Sequence, residues 1–204
     1  MMLTEETTVP DIALPVDQFK AHLRLGTGFG EDTLQNGVLN GFLRAAIVAI
    51  EARIGKVLIS RAFTWKIHAW RDRAGEILPV APVSVVNAVV MTDGGGTETV
   101  LDAALYRLAE DSQSPRIRPT GTLLPAISPG GTVRIDVIAG MAEDWGGLPA
   151  DLGQAVLLLA AHYYEYRNET ALSDGCMPFG VTSLIQRYRT MRISVGRGLA
   201  GVMQ

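Results

Sequence analysis

Apolar residues recur along this chain with two different periods, and the change of period divides it into three parts. In residues 16–25 and 32–54 they return every three or four positions, the spacing of one face of an α-helix. From 57 to 142 they return at every second position, as in half-buried strands. Helical spacing then resumes and continues to about residue 190. The pattern predicts an α+β fold in which a β-rich insert separates two helical segments, about 16–55 and 149–190.

The helix predicted at 32–54 is long and opens with Asp32 and Thr33, either of which can cap its first turn. Its predicted buried stripe consists of Leu34, Val38, Phe42, Ala46, Ile50 and Ile54, widened by Leu43 and Ile47. Gly37 and Gly41 cost helix propensity, so they predict a close approach to another helix. The polar face carries Arg44, Glu51, Arg53 and Lys56, and it fits either a solvated surface or a contact between subunits.

The insert contains several predicted strands, including residues 63–69, 83–92 and 132–139. Two prolines interrupt residues 77–82, which favours an edge strand or an extended connector. The sequence Asp93, Gly94, Gly95, Gly96 predicts a hairpin turn that returns through residues 97–101. Shorter strands are predicted at 106–109 and 116–118. The polar, acidic residues 1–13 precede all of this, and they are predicted to be mobile.

The third main helix begins near Pro149, which is predicted to lie in the first turn, where a missing N–H costs nothing. Nearly every side chain from 152 to 164 is apolar, so this helix should be covered on most sides. It closes with the sequence H-Y-Y-E-Y-R at 162–167. A polar loop follows, and then P-F-G-V-x-x-L-I-x-x-Y-R at 178–189, which predicts a second short helix.

Composition limits the possible functions of the 204 residues. The net charge of −3 argues against a general duplex-DNA binder, since such binding depends on neutralising phosphates. It does not argue against a ring through which DNA passes. The single cysteine, Cys176, rules out an intramolecular disulfide and fits a reducing compartment. The chain shows no signal-peptide pattern and no run of eighteen apolar residues, so we expect a soluble protein made in the cytoplasm.

The motifs of catalysis and metal binding are missing from the sequence. The three histidines, His22, His68 and His162, stand apart, and only His162 has a carboxylate, Glu165, one turn away. No phosphate loop, serine-hydrolase elbow or zinc motif occurs. Aromatic residues Tyr163, Tyr164, Tyr166 and Tyr188 have few lysines nearby, so they favour a packing interface over base stacking. We therefore expect no enzyme, no cofactor and no metal.

The order of motifs from Pro149 to Arg189 resembles the head–tail connector proteins, or neck adaptors, of tailed bacteriophages. A similar protein occurs in the phage-like gene transfer agents, and the resemblance is strongest to that group. Its sharpest motifs fix shape, not chemistry, and they comprise Pro149, Tyr163, Tyr164, Arg167, Pro178, Phe179, Tyr188 and Arg189. The resemblance implies an antiparallel helical scaffold with a β element between the second and third helices. It also implies one connector domain, residues 1–192, followed by a flexible arm, residues 193–204.

The resemblance further implies a structural adaptor located in the neck of a particle assembled in the bacterial cytoplasm. Its expected partners are the portal protein, a stopper or other tail-side neck protein, and further copies of the chain in a dodecameric ring. DNA is expected only as passing cargo, and no membrane is involved. The C-terminal segment would bind the portal through Arg192, Arg197, Leu199, Val202 and Met203, while the hairpin turn at 93–96 would contact a neighbour. The alternative is a stand-alone domain that binds a small molecule or nucleic acid in a polar or basic pocket.

Overall fold

A computed structural model describes residues 1–25, 33–167 and 177–189 of the chain. Within these ranges, helices precede and follow a set of antiparallel strands. The predicted α+β class is confirmed, with most of the strands lying between the second and third helices.

Several predictions fall outside the described ranges. They concern the helix cap by Asp32, the loop that carries Cys176, and the five C-terminal residues Arg192, Arg197, Leu199, Val202 and Met203. These stay predictions from the sequence.

The described part of the chain contains four α-helices that share one apolar core. They are α1 (Val16–His22), α2 (Thr33–Ile54), α3 (Ala150–Glu165) and α4 (Phe179–Ile185). Phe19 of α1 is fully buried between them, and so are Leu152 and Leu159 of α3 and Val181 of α4. Burial of this apolar area is the main force that holds the short helices α1 and α4, since helices of seven residues are unstable alone.

Helices α2 and α3 run in opposite directions. The rings of Phe42, in the first half of α2, and Tyr164, near the end of α3, meet edge to face with centroids 5.8 Å apart. At the other end, the chain leaving α2 meets the chain that enters α3, where the Ser60 N–H donates to the Ala142 carbonyl oxygen at 2.8 Å. The helical scaffold is therefore antiparallel, as the family resemblance implied.

The buried face of α2 lies beside the predicted stripe and overlaps it only in part. Leu39, absent from the prediction, is buried together with Leu43, Ile47 and Ile50. Val38 was predicted to be buried and is 53% exposed. The prediction is wrong there because α2 carries apolar residues around much of its circumference. Two neighbouring sets of apolar residues therefore show the same helical spacing, and only one of them is buried.

The predicted close approach at Gly37 and Gly41 is also wrong within the described residues. Both glycines are exposed, and a Cβ built on either would find no heavy atom within 4 Å. Together with Val38, Ala45 and Val48 they form an exposed, mostly apolar face along α2.

Replacing Gly41 with alanine should stabilise the protein, because the methyl group meets nothing and the helix interior loses a flexible residue. We expect the free energy of unfolding to rise by about 0.5–1 kcal/mol. Urea denaturation of the purified protein measures this, with Ala45→Gly as the reverse change on the same face. A lower stability of Gly41→Ala would contradict the open environment of this position.

The polar face of α2 forms contacts within the chain. Arg44 forms an ion pair with Asp11 at 2.5 Å, and Glu51 binds Arg61. Lys56, just after the helix, is buried, and this burial lowers its pKa, an effect that Asp111 partly offsets. The two interpretations of this face, solvated surface or subunit interface, therefore both miss its role in joining the helix to the N-terminal segment and to the first strand of the insert.

The larger sheet has five antiparallel strands. In spatial order these are β1 (Met2–Glu5), β2 (Arg61–Ile67), β8 (Thr132–Ala139), β4 (Val83–Thr92) and β5 (Glu98–Val100). One face, with Trp65, Val89, Ile135 and Val137, is buried in a second apolar core. The bounds of β4 and β8 match the predictions at both ends, because each strand is β-branched and ends at a glycine-rich turn or at a single glycine.

The smaller sheet has three strands, in the order β3 (Glu76–Ile77), β7 (Arg116–Pro119) and β6 (Tyr106–Ala109). Its buried face adds Ile117 and Leu108 to the second core. Residues 76–77 form an edge strand, which includes only the first residue of the Pro-interrupted segment 77–82, and residues 78–82 are not part of a strand. Glu76 is buried, and its carboxylate accepts the N–H groups of Arg71 at 2.6 Å and Asp72 at 3.2 Å.

The prediction that residues 1–13 are mobile is wrong. Residues 2–5 form β1, which pairs with β2 in the register Met2↔Lys66 through Glu5↔Phe63. The segment that follows buries Val9 in the helical core. Its polar composition did not signal a strand, because the strand is fixed by pairing with a distant part of the chain.

Helix α3 begins at Ala150, and Pro149 precedes it as the cap residue with extended ψ. The predicted place of Pro149 in the first turn is thus corrected by one position. The expected coverage of α3 is found on the side that carries Leu152, Ala155 and Leu159, while Leu157 and Leu158 are only half-buried.

Candidate functional site

A cluster of charges around Arg61 joins the helical core to the five-stranded sheet. The side chain of Arg61 is 6% exposed, and its guanidinium bridges two carboxylates. Its Nε donates to Glu5 Oε1 at 2.7 Å, while Nη1 and Nη2 donate to the two oxygens of Glu51 at 2.9 and 2.7 Å. Nη1 also donates to the Ile59 carbonyl at 3.1 Å. Since Glu5 lies on β1 and Glu51 on α2, one side chain at the start of β2 connects three elements.

In this cluster, the carboxylate of Glu51 also accepts a hydrogen bond from the backbone. Glu51 Oε1 accepts the Leu58 N–H at 2.7 Å, which fixes the turn between α2 and β2. Burial acts to lower the pKa of Arg61, but hydrogen bonds and charge from Glu51, and then from Glu5, hold it above its ordinary value. Arginine suits this place because its planar group can bind two carboxylates at once.

The turn between β4 and β5 is an exposed and well-braced hairpin. Asp93 Oδ1 accepts the N–H groups of Gly95 at 2.9 Å and Thr97 at 2.8 Å. The hydrogen bond from the backbone N–H of Thr97 lowers the pKa of Asp93, desolvation opposes this, and the hydrogen bond from the Gly95 N–H adds to the lowering. Gly96 has a φ of 87°, a conformation that favours glycine. The predicted turn is therefore present, and its contact with a neighbour stays a prediction.

The hairpin is held against the loop that precedes β8. A Cβ on Gly94 would come within 2.6 Å of the Pro129 carbonyl oxygen, so only glycine fits there. A Cβ on Gly131 would similarly approach the Thr92 carbonyl oxygen at 2.5 Å. These contacts between backbones give the exposed turn a defined position.

The C-terminal motif ties the segment after α4 to the start of α3. Tyr188 donates its hydroxyl hydrogen to Asp151 Oδ1 at 2.8 Å, and Arg187 forms an ion pair with Asp151 Oδ2 at 2.8 Å. Burial, followed by the Asp151 carboxylate, raises the pKa of Tyr188, while Arg187 partly offsets this. Arg189, the last residue of the motif, is exposed.

The other motif residues lie at the ends of helices. Tyr164 packs on Phe42, and the Arg167 guanidinium lies 4.8 Å from the Tyr164 ring centre. Tyr163 is half-buried, and this burial raises its pKa. Pro178 is the cap residue of α4. The motif thus shapes the scaffold, as expected, and its tyrosines pack rather than form an open aromatic surface.

Phe179 is the exception within this motif. It is the first residue of α4 and is 88% exposed. A large apolar side chain in this position gains little from the fold of the described residues.

The three histidines lie on different parts of the fold: His22 ends α1, His68 follows β2, and His162 belongs to α3. His68 is exposed, His22 is half-buried, and His162 packs against the Tyr166 ring with centroids 4.7 Å apart. Among the residues with described positions, no group of three His, Cys, Asp or Glu side chains could hold a metal ion.

A surface groove of about 390 Å³ lies between the N-terminal segment and α2. Its floor is apolar, with Val9, Ile47 and Val48, and Arg44 and Arg61 lie at its rim. Both arginines are already bound to carboxylates of the chain. The groove therefore offers little free charge to a polar ligand of the kind that the alternative function needs.

Comparison with solved structures places this arrangement among known proteins. A chain in the neck of an empty gene transfer agent (GTA) particle, computed with C6 symmetry, is 51% identical, with a TM-score of 0.86. A chain of the virion of a native GTA particle is 50% identical, with a TM-score of 0.84. A chain in the neck of a native particle, computed with C12 symmetry, is 48% identical, with a TM-score of 0.81. Each match covers 97% of this chain and 100% of the other.

No protein-family model and no curated protein matches the chain. Across the described ranges, none of the helices combines the length and apolar character needed to cross a membrane. Identity near one half over almost the whole length shows a common family: the chain belongs to the neck proteins of gene transfer agent particles. The resemblance that its C-terminal motifs suggested is confirmed, and the protein is a structural component of such a neck.

Proposed function

We propose that this protein is a head–tail adaptor that forms a ring in the particle neck, joins the portal to a stopper or tail protein, and lets DNA pass. The observation that carries the proposal is its similarity, at 48–51% identity, to chains of neck assemblies with C12 and C6 symmetry. A ring of twelve copies is compatible with both symmetries. Assembly would take place in the bacterial cytoplasm, and no catalytic step is required.

A closed ring needs two different surfaces on each copy that fit one another after rotation. Several exposed features of the chain can serve such contacts. One is the apolar face of α2 with Gly37, Gly41 and Val48. Another is the braced hairpin at Asp93, which extends from the sheet with its position fixed by Gly94. Rigid projecting elements of this kind can bind with little loss of conformational entropy.

We further propose that the C-terminal arm binds the portal. In this proposal Arg192 and Arg197 meet carboxylates, while Leu199, Val202 and Met203 supply apolar anchors. A chain truncated after residue 192 should fold normally and lose binding to isolated portal rings. Co-sedimentation with those rings, together with circular dichroism of both chains, measures this.

Full-length protein carrying Lys66→Ala, an exposed change on β2, is the control and should bind like wild type. Binding of the truncated chain would contradict the role of the arm and leave the adaptor function standing. If neither chain sediments with portal rings, the adaptor function itself is wrong.

A further inference from the structure

The outer face of the three-stranded sheet is rich in arginine. Ile117 and Leu108 are paired across β7 and β6 and face the second core. Side chains alternate along a strand, so Arg116, Arg118 and Arg107 lie on the opposite face. Arg107 and Arg118 are both exposed.

Arg107 and Arg118 are directly opposite each other in the register of β6 and β7. Like charges in such a pair repel and destabilise a sheet. Neither arginine takes part in an ion pair within the described ranges. No carboxylate among the described residues therefore relieves this repulsion by an ion pair.

The contrast with another cross-strand pair is informative. Lys66 and Arg134 also lie opposite each other, on β2 and β8. There, Arg134 lies 3.4 Å from Asp136 and 3.7 Å from Glu98. The fold thus supplies carboxylates to one pair of cations and leaves the other pair without them.

Arg118 is also held in place. Gly75 precedes β3, and a Cβ at this position would approach Arg118 Cγ at 3.3 Å and Nε at 3.7 Å. The aliphatic part of the Arg118 side chain therefore lies over Gly75, next to the space that a side chain at this position would occupy. A positioned, unpaired guanidinium is suited to a carboxylate or phosphate supplied from outside.

The surroundings favour a protein as the partner. Ile77 and Leu105 are 42% and 50% exposed, and each belongs to, or directly adjoins, this small sheet. Arginine together with exposed apolar side chains is typical of protein interfaces, whereas DNA is bound by mostly polar surfaces. The net charge of −3 also disfavours DNA.

The chain carries a complementary charge on its helical side. Asp17 on α1 and Glu143 before α3 are exposed, and neither takes part in an ion pair in the described part of the chain. Gln18 and Trp145, which are close to these two residues in sequence, are joined by a hydrogen bond of 3.0 Å from Trp145 Nε1 to Gln18 Oε1. The two charged surfaces belong to different cores, as a head-to-tail contact requires.

We propose that the arginine face, defined by Arg107 and Arg118, docks on the acidic surface at Asp17 and Glu143 of a second copy of this chain. The inference rests on the proposed ring and names the contact that closes it. Each interface then places two carboxylates against two arginines, and the repulsion between the arginines is relieved only on assembly.

The test compares folding with assembly in the full chain. Arg107→Glu alone creates an opposite-charge pair with Arg118, so we expect the melting temperature to rise while ring formation falls at least tenfold. Arg107→Glu with Arg118→Glu should melt near wild type and also fail to assemble. Lys66→Glu with Arg53→Glu changes two exposed cations elsewhere by the same charge and should assemble normally.

Sedimentation velocity of each protein, alone and with isolated portal rings, measures assembly. Reversal of both surfaces in one chain, with Asp17→Arg and Glu143→Arg added to the two arginine changes, should restore rings. If the double arginine variant forms rings as the wild type does, this inference is overturned and the proposed function is left intact. Absence of rings in wild type under both conditions would overturn both. A loss of binding to a 50-bp duplex, with assembly unchanged, would assign the arginines to DNA and overturn the inference.

Discussion

Replacing Arg61 with alanine is expected to lower the free energy of unfolding by about 3–5 kcal/mol, the usual cost of removing one partner from a buried ion pair. Its side chain is almost fully buried and holds Glu5 and Glu51 at 2.7 Å. Without it, the half-buried Glu51 keeps only the Leu58 N–H, and β1 loses its link to the helices. Guanidinium denaturation, followed by tryptophan fluorescence, measures the change.

Two variants make this test specific. Arg61→Lys keeps the charge but cannot reach both carboxylates with a planar group, so it should recover only part of the stability. Arg53→Ala removes an exposed arginine of α2 and should change stability by less than about 0.5 kcal/mol. A loss of under about 1 kcal/mol for Arg61→Ala would mean that the cluster acts like a surface salt bridge.

The second large effect is expected at Gly140, at the end of β8. A Cβ there would lie 2.9 Å from the Ile59 carbonyl carbon and still closer to the backbone N and Cα of Ser60. These are backbone atoms and cannot rotate away, so the two segments must separate. We expect Gly140→Ala to cost about 3 kcal/mol or more, the upper end for an overpacked site.

Thermal and urea unfolding of Gly140→Ala, beside Gly41→Ala, gives a matched comparison. The chemical change is the same, yet the expected signs are opposite, because one position is open and the other touches backbone. Loss of the bond from Gly140 N–H to the Pro82 carbonyl, now 3.0 Å, should appear as faster amide exchange. Equal stability of the two variants would show that the chain can relax at this crossing.

The sequence predicted the fold best where two physical signals agreed. Strands β4 and β8 are β-branched and end at glycines, so local preference and burial agree. Strand β1 was missed because it is short, lies in a mostly polar segment, and depends on pairing with β2, across more than fifty residues. Val38 was misplaced because α2 is apolar on two sides, and only the packed structure shows which side faces the core.

The functional surfaces were only partly predictable. The C-terminal motifs pointed to the family, and the hairpin turn could be read from Asp93 and three glycines. Pairing of Arg107 with Arg118 could not be read, because register across β6 and β7 is not a property of either segment. The two glycines inside α2 were a signal in the sequence, but they did not show that the face carrying them is exposed in the described part of the chain.

The position of Arg61 also affects how the protein transmits load. The hairpin at Asp93 is continuous with β4, which is hydrogen-bonded to β8, and β8 is hydrogen-bonded to β2. At the start of β2, Arg61 fastens this sheet to α2 through Glu51. A force applied to the tip of the hairpin is therefore transmitted to the helical scaffold through hydrogen bonds and an ion pair, with no flexible linker between the two. We therefore expect the two cores to move together when the hairpin is loaded.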